Sequence, residues 1–281
     1  MIKRILVALD PAEDTPVATR YAISLSRISD ASLTGLAVVD TSNIYTDVGG
    51  GDMNTAHYAR QLWEEMSEET REVAKKLLDK FKTSVEEADV RYTAIRKEGA
   101  SFERIIEGMK FHDLLIVGRD SHFFYNEPER ETKTLAKIVK DGVAPTLVVT
   151  GKYHEIRKVL VAFDGSAPAA RSLKSFVQLM PNGANLEIEL INIVSDEQLE
   201  LSNVLLDQAA LYLAEHQFTN ITKNVLTGGK PGERILQRQN ESSPDLIVLG
   251  AHAVSAIRRM TFGSTTHDLI TRTDTPLFLS P

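Results

Sequence analysis

Apolar residues in this chain fall into short continuous runs, and longer amphipathic segments separate the runs. Residues 3–10 read KRILVALD and residues 113–118 read DLLIVG, a pattern typical of strands that are buried on both faces. Between them, residues 16–28 and 55–85 have helical spacing or charge pairs four residues apart. Strands that alternate with helices predict right-handed crossovers and a parallel sheet covered on both faces.

The same series of elements occurs twice. Residues 157–164 read RKVLVAFD and residues 245–250 read DLIVLG, at offsets of 154 and 132 from the first pair. The first copy therefore carries roughly 22 extra residues between the two runs, and a repeat of this length is a whole domain. We predict an α/β protein of two tandem five-stranded, parallel-sheet, three-layer α/β/α domains, at residues 1–150 and 157–281.

The composition of the chain excludes several classes of partner and of chemical site. The net charge of −7 argues against binding to nucleic acid or to an anionic membrane. The chain has no cysteine, which excludes disulfides, thiolate catalysis and cysteine-based metal sites and fits a reducing compartment. No signal-peptide segment precedes the first strand, and no apolar run approaches the ~20 residues that span a bilayer. We therefore expect a cytoplasmic protein.

Chemistry is expected at one edge of the second sheet, because ligands of parallel sheets bind beyond the carboxyl ends of the strands. Asp164 follows the first strand of the second copy, and Gly250 ends the fourth. Gly263-Ser264 precedes a predicted helix, whose first N–H groups and dipole favour an anion. Arg258 and Arg259, in the predicted loop between them, could close over phosphates.

These residues resemble a known family. A strand ending in Asp164, Gly229-Lys230-Pro231 before a helix, and DLIVLG followed by a spaced Gly263-Ser264 are similar to the universal stress protein family in its tandem form. Nucleotide-binding members carry G-x2-G-x9-G-[ST]. Here Ala253 replaces the second glycine and the spacing is intact. The resemblance implies a fold like that of adenine nucleotide alpha hydrolases and a site for ATP, with or without Mg²⁺, in the second domain.

The resemblance also implies a role for each matching position. Asp164 would contact the ribose and metal region, Ala162 and Phe163 would flank adenine, and Ile193 would offer backbone groups to its edge. The phosphate and ribose site would consist of Gly250, Ala253, Gly263, Ser264 and Thr265. Ala253 is the departure: an alanine at positive φ costs on the order of 1 kcal/mol, and its methyl group would obstruct a phosphate that needs close approach.

The first copy departs much further from this pattern. Gly118 is present, but Ser121 stands at the second glycine position and Glu131-Thr132 replaces Gly-Ser. Three carboxylates, Glu127, Glu129 and Glu131, lie where phosphate would bind and would repel it. We therefore predict no ATP in the first half. Asp10 matches Asp164, and either binds a ligand or caps a helical turn.

No catalytic or metal-binding residue is predicted. The sequence lacks G-x-S-x-G and G-x4-GK[ST], and Asp164 is the one candidate base near the predicted phosphates, so any ATP hydrolysis should be slow. His252, His267 and Asp268 could hold a metal, but their spacing is not a known ligand motif.

Three functions remain open. The first is a stress-response regulatory protein that binds ATP in its second domain. The second is a module that binds a non-nucleotide small molecule or a protein, with both nucleotide sites degenerate. A slow ATPase or phosphotransferase is a third.

The expected partner of each half is the other half. Single-domain relatives in the family form dimers, so the resemblance implies an intramolecular pseudo-dimer. The terminal strands at 146–150 and 277–280 are the expected contact, since each leaves an edge to cover. The sequence leaves a further homodimer open.

Overall fold

The computed structural model describes residues 1–40, 53–123, 125, 134–180, 183–251, 253–256, 259–262 and 264–280, with the backbone alone at 53–67, 253–256, 259–262 and 264. Several residues of the sequence predictions lie outside this description: Glu127, Glu129, Glu131, Thr132, His252, Arg258 and Gly263.

Strands and helices alternate through two successive halves. The first half contains β1 (Arg4–Leu9), α1 (Asp14–Ser29), β2 (Ser32–Val39), α2 (Met53–Glu87), β3 (Tyr92–Glu98), α3 (Ser101–Met109), β4 (Leu114–Gly118), α4 (Thr134–Asp141) and β5 (Thr146–Val149). The second half contains β6 (Lys158–Ala162), α5 (Ala167–Leu179), β7 (Glu187–Val194), α6 (Leu199–Glu215), β8 (Asn220–Thr227), α7 (Pro231–Ser242), β9 (Leu246–Gly250), β10 (Ala253–Ala256), β11 (Arg259–Phe262), α8 (Ser264–Arg272) and β12 (Leu277–Ser280). Two short 3-10 turns flank β7, at Gly183–Asn185 and Asp196–Gln198.

Ten strands form one sheet in the order β3-β2-β1-β4-β5-β12-β9-β6-β7-β8. Neighbours within each half are parallel. The prediction of five parallel strands in each copy is confirmed. β5 and β12, the strands that close the two halves, pair antiparallel with Leu147 opposite Phe278.

Helices cover both faces of the sheet, as the three-layer prediction requires. One core cluster contains buried residues of α1, α2, α5 and α6, including Tyr21, Phe81 and Phe176. The other contains buried residues of α3, α4, α7 and α8, including Met109 and Leu269. None of the described helices is long and apolar enough to cross a membrane.

The two halves differ most between their second and third strands and before their last helix. α2 has 35 residues whereas α6 has 17, which accounts for most of the extra length of the first copy. The predicted loop after Gly250 is wrong over its described part, because β10 and β11 form an antiparallel hairpin with Ala253 opposite Phe262. The β-branched and aromatic residues of this hairpin favour strands. β11, which begins at Arg259, lies beside both α4 and α8.

Candidate functional site

A cavity of about 390 Å³ lies at the carboxyl ends of β6, β7 and β9. β6 pairs with β9 on one side and with β7 on the other, so the strand order reverses here. Such a switch point is where open parallel sheets bind ligands. Six of the predicted site residues line this one cavity: Ala162, Phe163, Asp164, Ile193, Gly250 and Thr265.

Three helices begin at the cavity wall. Ser166 and Ala169 line it from the start of α5, Pro231 from the start of α7, and Thr265 and Thr266 from the start of α8. The reason is topological, because each helix that follows a parallel strand starts at the edge where that strand ends. Helix N-termini carry partial positive charge, each contributing about 0.3–1 kcal/mol toward a nearby anion.

Local sequence fixes the start of α5. The Ser166 side chain accepts a hydrogen bond from the Ala169 amide at 3.3 Å, and Pro168 lies in the first turn, where its fixed φ suits a helix. Asp164 Oδ1 accepts from the Ser166 amide at 2.9 Å, across Gly165 at a φ of 78°. The carboxylate is exposed, and Oδ2 bonds no residue that the structure describes. Asp164 thus shapes the turn with one oxygen and presents the other to solvent.

The floor of the cavity is mostly apolar, formed by Ile191, Ile235 and Leu249. Asn192 is the exception. It is buried, and its Nδ2 donates to Ser202 Oγ at 2.9 Å. The sequence did not point to these residues, nor to a site role for Ser166, Ala169, Pro231 and Thr266, although a single amide in the apolar run EIELINIV was a usable signal.

Gly250 borders the cavity, but packing alone explains why it is glycine. A Cβ there would lie 2.5 Å from the Ala169 nitrogen and 2.7 Å from the Pro168 carbonyl carbon. Gly118, its counterpart in the first half, has the same relation to α1, because a Cβ there would lie 2.6 Å from the Cβ of Asp14. Close helix–strand contact therefore requires glycine in both halves, with or without a ligand.

The other residues predicted for the phosphate site or for a metal are described only in part. Ala253 begins β10 and Ser264 begins α8, and only their backbones are described. His267 is exposed and Asp268 is half-buried. Within the described part of the chain, no group of three or more His, Cys, Asp or Glu residues could hold a metal ion.

A family model described as the universal stress protein family matches residues 1–122 and again residues 155–281. The chain belongs to the universal stress protein family. A universal stress protein of Synechocystis sp. is 25% identical over 205 residues, which cover 73% of this chain and 70% of the relative.

Solved structures show the same fold. The crystal structure of a universal stress protein from Archaeoglobus fulgidus has a TM-score of 0.71 at 19% identity and covers 99% of this chain and 97% of its own. A functionally unknown protein from Pseudomonas aeruginosa has a TM-score of 0.59 at 14% identity, covering 99% of this chain and 92% of its own. Both matches span the two halves, so the tandem form is shared.

In this universal stress protein, the carboxyl ends of the strands are arranged differently in the first half. Asp10, the counterpart of Asp164, is buried, and its two oxygens accept hydrogen bonds from the amides of Ala12 and Phe123. Burial raises the pKa of Asp10 from its ordinary value, against the lowering effect of these bonds. Of the two open alternatives for Asp10, its described contacts support the turn residue.

A second cavity, of about 510 Å³, lies beside the start of α1, mostly among residues of the first half. Asp10, Asp14, Asp120 and Asp274 line it together with Arg119, and the described part of β2 does not border it. Arg119 donates to the Thr273 carbonyl at 2.9 Å and so links the two halves. Burial raises the pKa of Asp14. The lining is rich in carboxylates and is unsuited to phosphate.

Proposed function

We propose that this universal stress protein binds ATP or a related adenine nucleotide in the second-half cavity and acts as a stress-response regulator. One observation carries the proposal: the first turns of α5, α7 and α8 converge on one cavity beside the exposed carboxylate of Asp164. Helix N-termini attract phosphate, and the cavity volume of about 390 Å³ lies within the range of small-molecule sites.

The strand ends suit the base. Ala162 ends β6, Phe163 follows it, and both lie beside Ile193 of β7, over an apolar floor. The Phe163 amide donates to the Ile191 carbonyl at 2.8 Å. Alternate residues of a strand direct their backbone groups to the same neighbour, so the Ile193 amide points to the same side. That amide and the Phe163 carbonyl would give adenine one donor and one acceptor.

The other end of the cavity suits the rest of a nucleotide. Thr265 and Thr266, in the first turn of α8, offer backbone amides and hydroxyls to phosphate. Asp164 Oδ2 would accept from ribose hydroxyls or hold Mg²⁺, a hard cation that prefers carboxylate oxygen.

Binding is favoured over catalysis. Of the described residues that line the cavity, Asp164 is the sole titratable one, and it is occupied in the turn through Oδ1. Hydrolysis of the phosphoanhydride bond of ATP requires a group that positions or deprotonates water. The proposal is therefore that nucleotide occupancy, with at most slow ATP hydrolysis, is the signal.

The test is thermal unfolding of the full chain with and without Mg-ATP, followed by calorimetric titration. We expect a higher Tm and one nucleotide per chain, since a ligand that binds only the folded state stabilises it. Asp164→Asn should weaken binding about tenfold, the loss of one charge-assisted hydrogen bond. Asp196→Asn, which also removes an exposed charge, from the turn before α6, should leave binding unchanged. An unchanged Tm at millimolar Mg-ATP would contradict the proposal.

A second candidate ligand is a non-nucleotide small molecule with an apolar part. The apolar floor of Ile191, Ile235 and Leu249 and the alanine at position 253 favour it. Native mass spectrometry of the protein as purified would discriminate, because it weighs whatever the cavity retains. A bound mass that is no nucleotide would favour this candidate.

The organisation proposed with this function has three parts. The domains are residues 1–150 and 157–281, and the two act as an intramolecular pseudo-dimer, which the antiparallel pairing of β5 with β12 supports. A cytoplasmic location is supported by the lack of cysteine. Neither nucleic acid nor membrane is proposed as a partner, in keeping with the net charge of −7.

A further inference from the structure

The two copies can be aligned through their sheets. The offset of 154 residues makes Leu9 the counterpart of Phe163. Ala8 pairs with Leu36 as Ala162 pairs with Ile191, so Val38, two residues further along β2, is the counterpart of Ile193. The first half therefore has its own version of the two strand ends that border the second-half cavity.

In the first half, a tyrosine covers these strand ends. The Tyr125 hydroxyl donates to the Leu9 carbonyl at 2.8 Å and accepts from the Val38 amide at 3.1 Å. Leu9 and Val38 are at most 1% exposed, and Tyr125 is 9% exposed. One phenol oxygen thus satisfies a buried donor and a buried acceptor on adjacent strands.

In the second half, the equivalent residues line the cavity. Phe163 and Ile193 both line it, and among the described residues no hydrogen bond joins the Phe163 carbonyl to the Ile193 amide. The same pair of groups is therefore bridged by a side chain in one copy and is open to a ligand in the other.

The backbone of Phe123 anchors this tyrosine. Its amide donates to Asp10 Oδ2, and its carbonyl lies 3.1 Å from the Ser101 hydroxyl. Phe123 has a φ of 61°, in the left-handed region that a phenylalanine rarely adopts. Such a conformation persists where the surroundings hold it, here through the hydrogen bond from the Phe123 amide to Asp10. In the second half, by contrast, the matching Asp164 is exposed.

We propose that the Tyr125 side chain occupies the cleft between the ends of β1 and β2. There it takes the place of a planar-ring ligand that bears a donor and an acceptor at one edge. The strand ends of β1 and β2 are then closed to such a ligand, and any response to it arises in the second half. This inference goes beyond the proposed nucleotide function and does not depend on it, because it rests on the contacts of Tyr125 and on the structural match between the two halves.

The test removes the occupant and supplies a substitute. Tyr125→Ala should lower Tm by about 5 °C or more, since it leaves a cavity and two unpaired backbone groups. Millimolar phenol, which restores both the ring and the hydroxyl, should recover part of that loss in Tyr125→Ala and leave the wild-type Tm unchanged. Benzene restores the ring alone and should recover less. Equal recovery by phenol and benzene would overturn the proposal.

A second comparison separates this role from ordinary packing and does not require Tyr125→Ala to fold. Tyr125→Phe keeps the ring and removes the bridging hydroxyl, so Tm should fall and hydrogen exchange of the Val38 amide should accelerate. Tyr21→Phe is the matched control, because Tyr21 is also buried but its hydroxyl accepts one bond, from the His154 amide. Tyr125→Phe should lower Tm more than Tyr21→Phe does. A wild-type Tm with unchanged exchange at Val38 would refute the assignment.

Discussion

Substitution of Gly250 by alanine tests the claim that close packing, and not a ligand, requires glycine at the end of β9. The new Cβ would lie 2.5 Å from the Ala169 nitrogen and 2.7 Å from the Pro168 carbonyl carbon, whereas ordinary contacts begin near 3.4 Å. Both neighbours are backbone, so no rotamer change relieves the clash and the first turn of α5 must move by about 1 Å. Overpacking of this kind costs about 1–3 kcal/mol, which lowers Tm by about 3–10 °C in a chain of this size.

The assay is thermal and urea unfolding of ligand-free protein, with Gly228→Ala as the matched control. Gly228 has a φ of 69° and open space around its Cα, so alanine there should cost only the backbone term of about 1 kcal/mol. Asparagine tolerates positive φ better than alanine, so Gly228→Asn should recover part of that cost, whereas Gly250→Ser should recover nothing. A Gly250→Ala protein as stable as the wild type would refute the packing argument.

Two further predictions concern the core. Burial lowers the pKa of His112 below 6.5, and its ring nitrogens lie 2.7 Å from the Gly108 carbonyl and 2.8 Å from the Thr34 hydroxyl, so the folded state favours neutral histidine. The stability that this provides should be complete above about pH 6.5 and lost as pH falls through 6.5 toward the lower folded value. Urea midpoints should therefore decline less between pH 7 and pH 5 in His112→Gln than in the wild type. His216→Gln, at an exposed position, should keep the wild-type dependence of the midpoint on pH. The same pH dependence in the two variants would contradict this prediction. Phe176 is fully buried between Phe218 and Phe278, so Phe176→Ala should lower the free energy of unfolding in urea by about 3–5 kcal/mol. Phe111→Ala, at a 68% exposed position, should change it by no more than about 0.5 kcal/mol. Similar losses in the two variants would argue against this core.

The sheet could be predicted from the sequence because its signals are local and repeated. The runs at β1 and β6 are apolar at almost every position, as strands covered on both faces must be. The placement of Asp164 and Gly250 at one edge followed from parallel topology alone. Six predicted site residues line one cavity for the same reason.

The parts that the sequence did not reveal depend on contacts between distant segments. The first-copy segment after Gly118 is rich in acidic residues and suggested only a lost phosphate loop, whereas Tyr125 reaches Leu9 and Val38 across more than eighty residues of chain. The β10–β11 hairpin was missed because the glycine spacing favoured a loop. The glycine pattern alone does not separate a ligand role of Gly250 from a packing role, since helix packing produces the same glycine at Gly118.

The junction of β5 with β12 has a consequence for either half made alone. In the full chain each of these strands has a neighbour on both sides, and the sheet ends at β3 and β8. A separately produced second half would expose one whole edge of β12, and unpaired strand edges recruit other chains. Because the native pairing is antiparallel between matching strands, two copies could bond through β12 about a twofold axis. Splitting the gene product should therefore yield self-associating fragments that recreate the parent geometry from two molecules.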